Sequence, residues 1–131
     1  MSWLADTNVI SELSRQTPNA GVAAWVGRAG QVSVSTVTIE EIHYGLSWSP
    51  NEAVQRWFDR FFAERVDVLP VTAQIARRAG GFRGTLRARG RIRSQADMLI
   101  TATAAVHGLS LVTRNVRDFE GCGIKIFNPF T

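Results

Sequence analysis

Asp6, Glu41, Asp97 and Asp118 are far apart in the chain, yet each stands where a short apolar run gives way to a helix-forming stretch. Asp6 follows Trp3-Leu4-Ala5, and Glu41 follows Val32-Ser33-Val34-Ser35. Asp97 precedes Met98-Leu99-Ile100, and Asp118 follows Leu111-Val112-Thr113. In a parallel α/β sheet such handover points line the carboxyl edge, where these folds place their ligands. Carboxylates gathered there repel one another and resist full ionisation until a cation joins them. An all-oxygen ligand set suits hard divalent ions such as Mg²⁺ or Mn²⁺. The chemistry to expect is metal-dependent phosphoryl transfer.

Each acid also has an ordinary reading. Thr38-Ile39-Glu40-Glu41 and Ser94-Gln95-Ala96-Asp97 fit the capping box, and Asn115-Val116-Arg117-Asp118 comes close to it. Asp6 is harder to explain that way. Thr7 or Asn8 already offers a cap for the next helix, and an unpaired acid at a strand end is costly. Other chemistries have little to stand on. The sequence holds no GxGxxG or Walker pattern and no nucleophile elbow. His43 and His107 are the only histidines, and His107, just before Gly108, reads as a residue closing a helix.

The elements that must position these acids alternate in type. Strands are expected at Trp3–Asp6, Val32–Val34, Val66–Leu69, Leu109–Thr113 and Lys125–Phe127. Helices are expected at Val9–Arg15, Val22–Arg28, from Thr36 or Thr38 to Leu46, Glu52–Arg65, Thr72–Arg89 and Gln95–His107. Gly80-Gly81 weakens the fifth helix, and Asn115–Phe119 forms one helical turn. This alternation predicts an α/β fold in three layers, α/β/α, around a mainly parallel five-stranded sheet. With 131 residues, 45% of them hydrophobic, one domain over 1–131 is expected. The single Cys122 excludes an internal disulfide and a cysteine zinc cage. No leader pattern opens the sequence and no apolar run is long enough to span a bilayer, so a soluble, cytoplasmic protein without a membrane partner is expected.

Two stretches suggest macromolecular partners. The net charge of +4 is uneven: no acid lies between Asp67 and Asp97, while seven arginines do. Arg87, Arg89 and Arg91 are the candidates for contacts to nucleic-acid phosphate, which suits arginine's planar fork. From Glu52 to Arg65, Val54, Trp57, Phe58, Phe61 and Phe62 make a stripe at helical spacing. Core packing is one reading of the four aromatics, and a protein-binding face is the other.

Read together, these residues resemble a family. Leu4-Ala5-Asp6-Thr7-Asn8-Val9-Ile10-Ser11-Glu12-Leu13 is similar to the opening motif of PIN-domain ribonucleases. Ser35-Thr36-Val37-Thr38-Ile39-Glu40-Glu41-Ile42 with Gly45 resembles the second acidic motif, and Ala96-Asp97-Met98-Leu99-Ile100-Thr101-Ala102-Thr103-Ala104 the third. Leu111-Val112-Thr113-Arg114-Asn115-Val116-Arg117-Asp118-Phe119 resembles the fourth, and Phe127-Asn128-Pro129-Phe130 the closing strand. Within that family the likeness is to the VapC toxins of type II toxin–antitoxin pairs, FitB-like proteins included.

The resemblance implies an endoribonuclease hydrolysing RNA with Mg²⁺, or with Mn²⁺ in its place. Asp6 and Asp97 would hold the metal most directly, Glu41 directly or through water, and Asp118 would position water or a second ion. Glu41 is preferred to Glu40 because of its spacing to Gly45. Thr7, Asn8, Thr113 and Asn115 would support the acids. A homodimer is implied, together with a cognate antitoxin whose tail crosses the helices, with Trp57, Phe58, Phe61 and Phe62 as contact candidates. Three rivals share parts of this picture: a PIN-like binding module, a metal-dependent phosphatase and a DNA nuclease. Asn8, standing where a phosphatase of the aspartyl type needs a second acid, argues against the phosphatase.

Overall fold

Residues 2–131 are described by the computed structural model. Short β-branched and small-residue runs form five strands: β1 (Trp3–Ala5), β2 (Val32–Ser35), β3 (Val66–Leu69), β4 (Ser110–Val112) and β5 (Ile126–Phe127). They make one sheet in the order β3-β2-β1-β4-β5, and every pairing is parallel. The order places β1 at the centre. The chain runs outward to β2 and β3, then returns to the other side for β4 and β5. The carboxyl ends of β1 and β4 therefore flank the crevice where the winding reverses, the usual ligand position in such sheets.

Six helices cover the sheet: α1 (Thr7–Leu13), α2 (Ala20–Ala29), α3 (Thr36–Trp48), α4 (Glu52–Arg65), α5 (Ala73–Ala88) and α6 (Gln95–His107). A turn of 3-10 helix follows at Val116–Phe119. Alternation along each strand sends neighbouring side chains to opposite faces. Ala5 and Val112 pack with Val9, Ile10, Val22, Trp25, Ile42 and Phe58 from α1 to α4. Leu4 and Leu111 pack on the other side with Ile100, Ala104 and Phe119. There α6 lies on the sheet, and α5 closes over it through Ile75, Ala79, Leu86, Met98 and Ala102. Each fully buried Leu or Ile in these layers contributes about 1.5–3 kcal/mol. No helix is long and apolar enough to cross a membrane among the described residues.

The expected elements are present, with boundaries that shift for local reasons. Asp6 is not the last strand residue but the cap of α1, accepting from the Thr7 amide at 2.8 Å. Ser35, rather than Thr36 or Thr38, caps α3 through the Val37 amide. Asn19 caps α2, which starts at Ala20, two residues before the expected Val22, and its Oδ1 also accepts from the Thr131 amide at 3.1 Å. That bond draws the chain's last residues across α2. Gly21 is required at the crossing, since a Cβ there would collide with the Pro129 carbonyl oxygen. Gly80-Gly81 does not interrupt α5, because Ala79 and Leu86 on either side anchor the helix against α6.

Candidate active site

The first carboxylate sits at the carboxyl end of the central strand. Asp6 is buried, with 6% of its surface exposed. Its oxygens accept from the Thr7 amide at 2.8 Å, the Thr113 hydroxyl at 2.8 Å and the Asn8 amide at 3.1 Å. Thr113 follows β4 directly and is itself fully buried. Its Oγ1 also accepts from the Asn115 amide at 3.0 Å, and Asn8 Oδ1 accepts from the Arg114 amide at 3.3 Å. The ends of β1 and β4 are thus stitched together around one acid.

Glu41 reaches the same edge from a different place. It is not at a handover point but in the second turn of α3, on the side that faces α1. The Thr7 hydroxyl donates to Glu41 Oε1 at 2.6 Å and contacts the Thr38 hydroxyl at 3.1 Å. Thr7, Asn8 and Thr113 each hydrogen-bond to at least one of these acids. Glu40 is exposed and makes no such bond, so it is set apart from its neighbour. Asp97 lies in the first turn of α6, half-buried, with the Ser94 hydroxyl accepting from its amide at 3.1 Å. Asp118 stands exposed in the 3-10 turn. Asn115 precedes that turn without capping it through its side chain.

The electrostatics link these positions. Burial pushes the Asp6 carboxyl up to about 6, and the negative charges of Asp97 and Glu41 add to the rise, while the Thr113 and Thr7 hydrogen bonds oppose it. Asp97 is raised as well, first by burial; Asp118 and Glu41 push it further, and Ser94 and Arg93 restrain it. Asp6, Glu41 and Asp97 share one field, and Asp118 joins through Asp97. No arginine or lysine pairs with any of them; the only ion pairs among the described residues are Arg15–Glu12 and Arg56–Glu52. Nor do any three carboxylate, imidazole or thiol side chains among the described residues close into a cage. Glu41 accepts instead from Thr7, and Asp6 from Thr113. Oxygen-only donors, like charges with no ion-paired arginine or lysine and a buried acid held above its ordinary range are together the chemistry of a hard divalent cation's ligands.

Residues 4–121 match the PIN domain family. The chain belongs to the PIN-domain family, in its VapC branch. It is 31% identical to a VapC ribonuclease of Sinorhizobium fredii, over 95% of each chain. It is 31% identical to the toxin FitB of Neisseria gonorrhoeae, over 97% of each chain. Its fold superposes on that of a DNA-bound VapBC crystal structure from Salmonella typhimurium with a TM-score of 0.86, at 27% identity and covering 97% of both chains.

The remaining candidates of the PIN domain separate in space. Arg89 joins Arg77, Arg78 and Phe82 around a cleft of about 630 Å³ along α5, whose lining includes none of the four acids. Arg91 packs beside Gly121, where a Cβ would come within 3.3 Å of its guanidinium. Arg87 lies on a different side of α5, with Arg83 and Arg93. Of the α4 aromatics, Phe58 is buried in the core. Trp57, Phe61 and Phe62 are half-buried, and Trp57 stacks on Phe61 with ring centres 4.8 Å apart. The core reading therefore accounts for Phe58 and for part of the other three. Sequence reasoning read Thr38 only as a helix cap and Arg93 only as one of the seven arginines between Asp67 and Asp97, and it passed over Tyr44 and Trp48, which are 69% and 82% exposed. The signal was available: Tyr44 and Trp48 follow Glu41 by three and seven residues, the spacing of one helix face.

Proposed function

We propose that this PIN domain is the toxin of a type II toxin–antitoxin pair, an endoribonuclease that hydrolyses RNA at Asp6, Glu41, Asp97 and Asp118. The observation that carries the site is the shared field of acids from separate stretches of sequence, none of them ion-paired to an arginine or lysine among the described residues. Relatives spanning nearly the whole chain, a ribonuclease and a toxin, support the activity. The cofactor read from this donor set is Mg²⁺, with Mn²⁺ able to replace it.

When bound, such an ion supplies Lewis acidity toward a phosphate oxygen and lowers the pKa of a water. The protein's own part is to present ligands already aimed. Asp6 cannot swing away, because Thr7, Asn8 and Thr113 fix both of its oxygens. Glu41 is held at the edge by the Thr7 hydroxyl. Asp97 enters from the start of α6, and exposed Asp118 is free to orient water or a second ion. Above about pH 6 Asp6 is ionised and ready as a ligand.

Cleavage of total RNA with Mg²⁺ or Mn²⁺ tests this. Asp6→Asn and Asp97→Asn should each lose more than about 10²-fold in rate, since even outer partners of metal ligands are worth 10–100-fold. Full activity in either folded variant would overturn the assignment. Running single-stranded DNA in parallel separates the RNA reading from the DNA one.

The half-buried face of Trp57 and Phe61 on α4 offers a seat for a cognate antitoxin, and a basic side chain from its tail could occupy the acidic edge by charge complementarity. A homodimer that assembles further with this antitoxin in the cytoplasm is the corresponding state. Co-expression with the small protein encoded beside it should give a complex that inhibits cleavage, and Trp57→Ala or Phe61→Ala should weaken that inhibition. A chain that stays monomeric and is not inhibited would remove the toxin role while leaving the nuclease.

A further inference from the structure

Arg83 and Arg87 lie one turn apart on α5, and with Gly84, Ile92 and Arg93 they line a cleft of about 130 Å³. That is the bulk of a few water molecules, room for a phosphate group but not for a whole nucleotide. None of the three guanidinium groups has a carboxylate partner among the described residues. Three cations around one small space repel one another unless an anion lies between them. The space beside Gly84 is open, since a Cβ there would meet no atom within 4 Å.

Arg93 gives the second indication. Its Nε is buried and donates to no acceptor. Such a donor costs about 1–3 kcal/mol, and native folds keep few of them without a completing water or ion. Arg93 also directly precedes Ser94, the cap of α6, so the cleft adjoins the helix turn that carries Asp97. It is outside ion-pair distance of Asp97, yet its charge offsets part of the repulsion felt there. The cleft therefore borders the acidic edge without belonging to it. Arginine forks match phosphate oxygens in pairs.

We infer that Arg83, Arg87 and Arg93 form a subsite holding one phosphate of the RNA strand beside the scissile position, fixing how the strand enters the acidic edge. This rests on the ribonuclease reading. It also divides the arginine-rich segment: Arg87 contacts substrate, while Arg89 and Arg91 serve other surfaces.

The test is binding of a short, mixed-sequence, single-stranded RNA in chelator, so that nothing is cleaved, across a salt series. Arg83→Gln/Arg87→Gln should bind about tenfold more weakly, the weight of one charge-assisted contact. Its log–log salt slope should be shallower by about 0.7, one single-strand phosphate. Arg77→Gln/Arg78→Gln, which alters the larger cleft, should keep the wild-type slope. Arg93→Lys, which keeps the charge and loses the fork, should weaken binding while remaining folded by circular dichroism. An unchanged slope in the Arg83/Arg87 variant, or an equal loss in both double variants, overturns the subsite. If the wild type cleaves RNA with Mn²⁺ while that happens, the ribonuclease reading stands without it. A wild type that neither binds nor cleaves RNA overturns both. Retained RNA binding with lost binding of polyglutamate would reassign the cleft to an acidic peptide and overturn the proposal.

Discussion

Asp6 and the arginines of α5 show two ways in which this fold carries charge. At the sheet edge a carboxylate is almost wholly withdrawn from water and held by three hydrogen-bond donors. Along α5, Arg77, Arg78, Arg83, Arg87 and Arg89 are exposed and have no ionic partner among the described residues. The buried charge costs stability that the rest of the fold must offset, whereas exposed charge is nearly free. A protein keeps the first kind where function requires it. The second kind is ambiguous until its neighbours are known, which is why the arginines divide only once the clefts are seen.

The cost at Asp6 gives the largest expected effect on stability. A carboxyl raised to about 6 binds its proton more tightly folded than unfolded. Stability is then greatest below the ordinary carboxylate range and falls as pH rises through that range to about 6. The loss attributable to Asp6 is about 3 kcal/mol. Asp97, shifted in the same direction, adds to it. Metal-free urea denaturation from pH 4 to pH 8 should show this decline, and Asp6→Asn should flatten it. Asparagine keeps the bond from the Thr7 amide, but its nitrogen must face Asn8, so its gain in absolute stability should be smaller than the pH effect. A wild type that becomes more stable over this range would contradict the burial argument.

Thr113→Val sharpens the contrast from the supporting side. It removes the hydroxyl that donates to Asp6 and accepts from Asn115. A cost of about 1–3 kcal/mol is expected for unsatisfied buried partners, with a 10–100-fold loss of cleavage. Asp6 should also titrate still higher. Arg77→Gln on the exposed face is the control, expected to stay within about 0.5 kcal/mol. If the two substitutions prove equal in chemical denaturation, burial does not distinguish the two regions.

Much of the fold was legible because period and punctuation agreed. Ser94 and Gly108 bound α6 where local signals put them, and α5 begins one residue after the expected Thr72, which caps it instead. The misplaced caps share one cause. Thr7 could cap α1, but its hydroxyl is spent on Glu41, 34 residues away in sequence. Thr38 is taken by Thr7, and Thr36 Oγ1 accepts from the Val71 amide at 3.2 Å. Capping then passes to Asp6 and Ser35. A tertiary demand on a hydroxyl is invisible to a local pattern. The acids were expected together from the strand exits, and Asp6, Glu41 and Asp97 lie within electrostatic reach of one another; the route Glu41 takes was not legible, since only the packing of α3 on α1 shows which face of the helix meets Thr7. Similarly, spacing alone could not separate Arg87 from Arg89, which lie two residues apart and point to different clefts.

Asp6, Glu41, Asp97 and Asp118, from four separate stretches of the chain, are proposed to hold one cation. Titrating Mn²⁺ against the protein, with free Mn²⁺ followed by electron paramagnetic resonance at pH 7.5, tests this most directly. Asp6→Asn and Asp97→Asn should abolish tight binding, and Glu41→Gln should weaken it by more than about tenfold. Asp118→Asn should cost a few-fold at most, in keeping with its exposure, and Glu40→Gln should match the wild type. Equal Mn²⁺ affinity in the wild type, Asp6→Asn and Asp97→Asn would contradict the account.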